Sequence, residues 1–222
     1  MDIEDFKDIH KGRRCFVVGN GPSLNNTPLH LLQDEITIGC NRIYLHKTFT
    51  PRYYTLEDRK VAFQIRRDII NFKGPRYKFI PLDIDIKSEN TVPIRFRRNS
   101  QEPFRFVDKS HSTFYWGGTV TYLMIQLAYY MGCNPIYLVG IDHNYKNQEG
   151  GIYKDGDFDH FHPDYFKNVS CNPPHKERME RAYRYVKEYS KTLGFEIYNA
   201  TVGGELEVFE RIEFSSLFKD ED

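Results

Sequence analysis

Two histidines and several carboxylates cluster in one short stretch of the sequence. The run from residue 157 to 166, Asp-Phe-Asp-His-Phe-His-Pro-Asp-Tyr-Phe, places His160 and His162 on the same side of an extended segment. Two imidazoles flanked by carboxylates are typical of a general base with an orienting acid, of a divalent-metal site, or of hydrogen bonds that stabilise a loop. A third histidine, His175, follows two prolines, either as a further base or as a helix cap.

A glycine turn follows the first apolar run and is a candidate nucleotide contact. In Gly19-Asn20-Gly21-Pro22-Ser23, the glycines permit close approach of a ligand, and Asn20 and Ser23 offer side-chain hydrogen bonds. The dinucleotide fingerprint requires a third glycine where this chain has Leu24. Pro22 also lacks the backbone N–H that would face a phosphate. The turn therefore indicates a nucleotide other than NAD, with a purely structural tight turn as the alternative.

A second glycine pair precedes a helical pattern. Gly117, Gly118 and Thr119 stand directly before a run with apolar residues at helical spacing. The free N–H groups and the dipole of a helix start favour a phosphate or a carboxylate. The alternative is that the glycines serve helix packing.

Alternating strand and helix patterns must position these residues. Short apolar runs predict strands, and longer periodic runs predict helices between them. The predicted strands are 15–18, 35–39, 53–56, 76–80, 136–140 and 195–198; the predicted helices begin near Pro28, Val61, Thr119 and His175. The pattern indicates an α/β fold of the Rossmann-like three-layer α/β/α type, with a mainly parallel sheet.

We expect one domain over residues 1–222, with an insertion or irregular excursion at 81–112 and a long lid loop at 143–174. Ligands of parallel sheets bind beyond the carboxyl ends of the strands. Several polar residues follow predicted strands and should meet there: Asn20, Asn41, Glu57, Asp58, Asp142, His143, Asn199 and Thr201.

Composition excludes several classes of protein. The 222 residues carry 31 Lys and Arg against 31 Asp and Glu, which argues against nucleic-acid binding by bulk charge. The mean hydropathy of −0.63 and the absence of a long apolar run argue against a transmembrane helix. Four cysteines without a CxxC pair, and an acidic N-terminus unlike a secretory signal, indicate a cytoplasmic protein. The sequence is compatible with either a monomer or a homo-oligomer.

Three stretches together carry a family resemblance. Residues 17–24 (Val-Val-Gly-Asn-Gly-Pro-Ser-Leu), 40–44 (Cys-Asn-Arg-Ile-Tyr) and 136–142 (Ile-Tyr-Leu-Val-Gly-Ile-Asp) resemble the Rossmann-type MptE-like domain, named for 6-hydroxymethylpterin diphosphokinase. The same landmarks are similar to the sialyltransferases of glycosyltransferase family 42 and to the core of motility accessory factors. The stretches at 160–166 and 199–209 resemble stand-alone bacterial MptE-like proteins.

The resemblance implies roles for individual residues. It implies that Asn20 and Asn41 contact a CMP-sugar donor, and that His175 is the general base. Tyr153 and Tyr165 are the implied counterparts of the tyrosines that stabilise the leaving phosphate. The sialyltransferase arginine before the Ser-Gly turn has no match, because Ser112–Trp116 stand there instead.

The implied function is transfer from a nucleotide-activated donor to a small-molecule or glycan acceptor. The favoured case is a glycosyltransferase of bacterial surface-glycan synthesis that uses a CMP-sugar or a related donor. One alternative is an ATP-dependent pterin diphosphokinase, which would need Mg²⁺ from carboxylates such as Asp58, Asp142, Asp157 and Asp159. The other alternative is a non-catalytic nucleotide- or glycan-binding module. The sequence does not identify a metal site.

Overall fold

A nine-stranded sheet forms the centre of the part of the chain that the structure describes. The structure is a computed structural model that describes residues 1–98, 103–145 and 157–218. The strands, in chain order, are β1 (Cys15–Val18), β2 (Ile36–Cys40), β3 (Tyr53–Thr55), β4 (Tyr77–Pro81), β5 (Thr91–Arg97), β6 (Thr113–Tyr115), β7 (Ile136–Val139), β8 (Ile197–Asn199) and β9 (Glu210–Arg211).

The order of the strands reverses at β1. The spatial order is β6-β5-β4-β3-β2-β1-β7-β8-β9, and each neighbouring pair is parallel. The chain runs outward from β1 to β6 on one side and then returns to place β7 on the other side of β1. This reversal creates the crevice where ligands of open parallel sheets bind. The predicted parallel Rossmann-like fold is confirmed.

Helices cover both faces of the sheet. The helices α3 (Val120–Tyr130) and α4 (Lys176–Leu193) pack on one face, and the short helices α1 (Arg59–Gln64) and α2 (Arg66–Asn71) pack on the other. The central strands β1, β2 and β7 are buried along their whole length, because apolar side chains from both faces meet helices. Thus Val17 faces the α3 side and Phe16 faces the α1 side.

The chain after β1 differs from the prediction. In place of an α-helix beginning near Pro28, two short 3₁₀ helices occupy Pro22–Asn26 and Leu29–Leu32. The intervening residues Thr27 and Pro28 are extended or irregular, and Pro28 cannot donate the backbone hydrogen bond that a continuous helix would need. The crossover from β1 to β2 is therefore compact and irregular.

The stretch at 81–112 is also more regular than expected. It contains β5, which pairs with β4 and β6 and extends the sheet. Val92 and Ile94 are buried, whereas Pro93 and Arg95, which alternate with them, are exposed, as in a strand with one covered face. Residues 91–97 are therefore a regular strand and not an irregular excursion. The C-terminal strand β9 was not predicted.

Part of the predicted lid falls within the described residues. Residues 157–174 form turns against the carboxyl ends of β1 and β2, with Phe161 and Tyr165 buried in the core on the α1 side. The Phe161 N–H donates to the Asn20 carbonyl at 2.9 Å. Residues 146–156 of the predicted lid lie outside the described part. Among the helices of the described ranges, none is both long and apolar enough to cross a membrane.

Candidate functional site

A cleft of about 720 Å³ opens at the carboxyl ends of the parallel strands. It lies at the crevice where β1 separates β2 from β7, and α3, α4 and the 157–174 segment supply its walls. Most of the predicted site residues line it: Gly19, Asn20, Gly21, Asn41, Asp58, Gly118, Thr119, Asp142, His160, Tyr165 and His175. Ser23, Gly117 and His162 do not belong to this lining, and Tyr153 lies outside the described residues.

The turn after β1 is fitted against the end of β7. A Cβ on Gly21 would overlap the Asp142 carboxylate, and one on Gly19 would overlap the Gly140 carbonyl, so side chains are excluded at both positions. Ser23 donates its hydroxyl to Asp142 Oδ2 at 2.7 Å and its backbone N–H to Oδ1 at 3.2 Å. Ser23 therefore holds Asp142 and does not face the cleft, contrary to its predicted place beside the nucleotide.

Two asparagines place unpartnered amide oxygens at the floor of the cleft. Asn20 donates its amide to the Cys40 carbonyl at 3.2 Å and to the Cys40 sulfur at 3.1 Å, which fixes its orientation. Its Oδ1 and the Oδ1 of Asn41 are buried, and neither has a hydrogen-bond partner among the residues that the structure describes. Asn41 has a left-handed backbone with φ of 48°, which asparagine tolerates better than most residues. Buried acceptors left without donors are costly, so this pair is suited to a ligand that brings donor groups.

His160 forms a dyad with a buried carboxylate. Its Nδ1 lies 2.8 Å from Asp157 Oδ1 and 2.9 Å from Oδ2, and the Asp157 side chain is 1% exposed. The imidazole also stacks on Tyr165, with centroids 3.9 Å apart and planes 4° from parallel. Because Asp157 accepts from Nδ1–H, the neutral ring carries its lone pair on Nε2. In this tautomer Nε2 is the nitrogen that can accept a proton.

The other two predicted bases are arranged differently. His162 accepts the Asp164 N–H through Nδ1 at 3.1 Å and lies outside the cleft lining. His175 caps α4, and its Nδ1 accepts the Arg178 N–H at 3.4 Å. That hydrogen bond places the proton of neutral His175 on Nε2, which then acts as a donor. Of the three imidazoles, His160 is best arranged to accept a proton in the cleft.

The glycine pair before α3 serves packing. A Cβ on Gly117 would overlap the Tyr122 ring, and one on Gly118 would lie 3.1 Å from the Arg178 side chain. Thr119 caps α3 by accepting the Thr121 N–H at 3.3 Å. Gly118 and Thr119 line the cleft, but the geometry of the pair matches the alternative interpretation, in which glycines allow the helices to approach.

Sequence reasoning missed a chain of contacts along one wall of the cleft. Glu57, two residues after β3, accepts from Trp116 Nε1 at 3.3 Å and from Arg98 Nη1 at 3.2 Å. The Arg178 guanidinium lies over the Trp116 ring, 4.9 Å from its centroid. Burial raises the pKa of Glu57 to about 7, although Arg98 and the indole N–H favour its charged form. These residues are far apart in sequence, and Glu57 was recognised only by its place after a strand.

A third histidine of the cleft, His143, follows β7. It is buried, has a left-handed backbone with φ of 54°, and lies edge-on to Tyr145 and Tyr183. Its Nε2 is 3.4 Å from Glu180 Oε1, and within the described part of the chain neither ring nitrogen makes a hydrogen bond of good geometry. Burial lowers the pKa of His143, with Lys176 adding to the effect and Glu180 opposing it.

The carboxylates proposed as Mg²⁺ ligands do not assemble into a metal site. Asp58 caps α1 by accepting the N–H groups of Lys60 and Val61, and both Asp142 oxygens accept from Ser23. Burial raises the pKa of Asp142 above its ordinary value, although Ser23 opposes this shift. Within the described ranges, no group of three His, Cys, Asp or Glu side chains is placed to hold a metal ion. The carboxylates of the described ranges therefore do not form a ready-made site for a resident Mg²⁺.

The strand order and the cleft define a Rossmann-like α/β protein with its site at the reversal point of the sheet. The family model described as 6-hydroxymethylpterin diphosphokinase MptE-like matches residues 1–148, and the chain belongs to this family. Among solved structures, the chain is similar to the sialyltransferase CstII from Campylobacter jejuni in complex with a substrate analogue, CMP-3FNeuAc. That match has 13% identity and a TM-score of 0.49, and it covers 90% of this chain and 86% of the other. No curated protein matches the sequence.

Proposed function

We propose that this protein is a transferase that uses a nucleotide-activated donor, and that the donor is a CMP-sugar or a related nucleotide sugar. The observation that carries the proposal is the pair of unpartnered buried oxygens of Asn20 and Asn41, in one cleft with the His160–Asp157 dyad. The asparagines would bind the nucleotide of the donor, and the dyad would supply the general base that deprotonates the acceptor. A cleft of about 720 Å³ is within the usual size of a small-molecule site.

The asparagine oxygens would accept hydrogen bonds from the nucleoside. Hydrogen-bond donors on a nucleotide are its ribose hydroxyls, the exocyclic amino groups of cytosine, adenine and guanine, and the ring N–H groups of uracil and guanine. Fixing the Asn20 amide by Cys40 pre-orients its oxygen before the ligand arrives. A pre-oriented acceptor loses little conformational entropy on binding, which favours affinity.

His160 would deprotonate the hydroxyl of the acceptor. The proton moves to Nε2, the acceptor oxygen forms a bond to the sugar carbon, and the bond from that carbon to the phosphate oxygen breaks. The nucleoside monophosphate leaves with the electron pair. Asp157 stabilises the imidazolium that forms, because its buried carboxylate already accepts from Nδ1–H. Stacking on Tyr165 keeps the ring in place during the transfer.

A diphosphokinase is the second candidate, and membership of the MptE-like family favours it. In that reaction the same base would deprotonate the hydroxymethyl group of a pterin. The oxygen would attack the β-phosphorus of ATP, and AMP would leave. The two functions thus share the nucleotide cleft and the dyad, and they differ in the electrophilic atom.

The released nucleotide distinguishes the two reactions. The protein is incubated with CMP-sialic acid, and separately with ATP, Mg²⁺ and 6-hydroxymethyldihydropterin, and the products are separated by chromatography. We expect CMP release in the first reaction, in the presence of EDTA, and we expect His160→Ala to abolish it. AMP release in the second reaction alone would establish the diphosphokinase instead. Binding of either nucleotide without product would leave only a binding module.

A further inference from the structure

The wall built from Trp116, Arg178 and Glu57 lies apart from the asparagine pair. Asn20 and Asn41 follow β1 and β2, at the centre of the sheet. Glu57 follows β3, and Arg98 and Trp116 follow β5 and β6 at the far edge. Neighbouring strands are about 5 Å apart, so this wall is displaced toward the β6 edge from the floor formed by the asparagines.

The charges on this wall are unequally paired. Arg98 is bound to Glu57 and also to Asp83, whose Oδ2 lies 2.6 Å from Arg98 Nε; Arg59 pairs with the same Asp83. Arg178, by contrast, has no carboxylate partner within the described residues and is held by the face of Trp116. Lys60, exposed at the same cleft, likewise has no ion pair within this part of the chain.

The contacts around Arg178 hold it in this position. Gly118 leaves room for its side-chain carbons, since a Cβ there would come within 3.1 Å of them. The indole of Trp116 is in turn fixed by Glu57 through Nε1. A guanidinium held on an aromatic face keeps its N–H donors free at its edge, where they match the oxygens of a carboxylate or phosphate.

We propose that Arg178 and Trp116 form an oxyanion subsite that binds a carboxylate or phosphate group of the acceptor. This assignment rests on the proposed transferase function, which supplies the donor on the asparagine side of the cleft. The acceptor is then an acidic molecule, such as a uronic acid or a phosphorylated sugar, whose charged group contacts Arg178 while its ring contacts the indole.

The single tryptophan of the chain makes the subsite directly observable. Because Trp116 is the only tryptophan of the sequence, its fluorescence reports on this wall alone. The protein is titrated with glucuronate, with inorganic phosphate and with glucose at constant ionic strength. We expect a saturable change with glucuronate or phosphate and none with glucose. Arg178→Gln should weaken the anion response by about tenfold or more, because a charge-assisted hydrogen bond is lost.

A matched variant controls for charge removed elsewhere on the same helix. Arg184→Gln removes an exposed arginine of α4 that pairs with Glu180, and it should leave the titration unchanged. Far-UV circular dichroism and stabilisation by CMP show whether Arg178→Gln is folded. An equal response to glucose and glucuronate, no response to either anion, or an Arg178→Gln titration like the wild type would overturn the subsite.

Repeating the titration with saturating CMP tests whether the anion site serves the acceptor or the phosphate of the donor. If the anion still binds, it belongs to the acceptor, as proposed. If CMP displaces it, Arg178 binds the phosphate of the donor and the assignment to an acidic acceptor is wrong. Failure of CMP to bind at all would contradict the proposed donor, while the titrations without CMP would still decide whether the anion site exists.

Discussion

The Nδ1 atom of His160 lies 2.8 Å from the carboxylate of Asp157, three residues earlier in the chain. Asp157 is buried, whereas the imidazole lines the cleft, so the carboxylate meets the ring from behind. The pair therefore combines an orienting acid with a base that faces the ligand space. This arrangement gives the first prediction.

Removal of the His160 imidazole should reduce turnover by about 10²–10⁴-fold, the usual contribution of general-base catalysis. We expect His160→Ala to do so without weakening nucleotide binding, and Asp157→Asn to cause a smaller loss by disturbing the tautomer. Turnover is measured as release of CMP from CMP-sialic acid. His162→Ala and His175→Ala serve as controls and should remain active. Normal turnover by His160→Ala would show that the base lies elsewhere.

Glu57 should make the stability of the protein depend on pH. Burial raises its pKa from 4.5 to about 7, so the folded protein holds a proton that the unfolded chain releases. Its contribution to stability is therefore complete below about pH 4.5 and is lost as the pH rises through about 7. As the pH rises through this interval, the free energy of unfolding of the wild type should fall because Glu57 loses its proton. We expect the fall to be smaller by about 1–3 kcal/mol in Glu57→Gln, which has no carboxyl to titrate at this position.

Urea denaturation across this pH range measures the difference between the two proteins. Glu177→Gln, which removes an exposed carboxyl of α4, should follow the wild-type curve. Parallel curves for Glu57→Gln and the wild type would mean that the Glu57 carboxyl titrates near its ordinary pKa.

Gly21→Ala tests the fit between the turn after β1 and the end of β7. Gly21 has an ordinary φ of −65°, so alanine causes no backbone strain there. Its methyl group, however, would overlap the Asp142 carboxylate and lie 2.9 Å from the Gly140 carbonyl. We expect a loss of about 1–3 kcal/mol in stability, typical of overpacking, together with loss of nucleotide binding.

Gly203→Ala is the converse control for this substitution. Gly203 has a φ of 73° and open space around its Cβ position, so alanine there is strained but makes no collision. Thermal unfolding of both variants, with and without CMP, separates the two effects. If Gly21→Ala binds CMP as well as Gly203→Ala does, the turn after β1 does not form part of the nucleotide site.

Continuous apolar runs were sufficient to predict the centre of the sheet. The strands β1, β2 and β7 are buried on both faces, and this demands the apolar side chains that made them visible in the sequence. The strand β5 also carries a signal, since Val92, Ile94 and Phe96 alternate with polar or exposed residues, but Pro93 and the arginines obscured it. The two-residue strand β9 is too short to have a pattern.

The site was predictable where it depends on local sequence. Residues within three positions of a strand's carboxyl end converge because parallel strands end at one edge, and Asn20, Asn41 and Asp142 do so. The contact of Ser23 with Asp142 and that of Gly117 with the Tyr122 ring were not visible in the sequence, because each depends on how the chain folds around the residue. The wall of Glu57, Trp116 and Arg178 joins residues more than fifty positions apart, and no local pattern indicates such contacts.

The most direct test of the nucleotide cleft is the thermal stability of the protein with CMP, UDP, GDP and ATP, each with Mg²⁺ and with EDTA. CMP should raise the melting temperature in EDTA, since a ligand at 100 times its Kd adds about 2.7 kcal/mol of stability. Asn20→Ala and Asn41→Gly should each weaken binding by about fivefold or more, as expected for one lost hydrogen bond. An unchanged melting temperature with all four nucleotides would contradict nucleotide binding between β1 and β2. So would a shift with CMP that is as large in both variants as in the wild type.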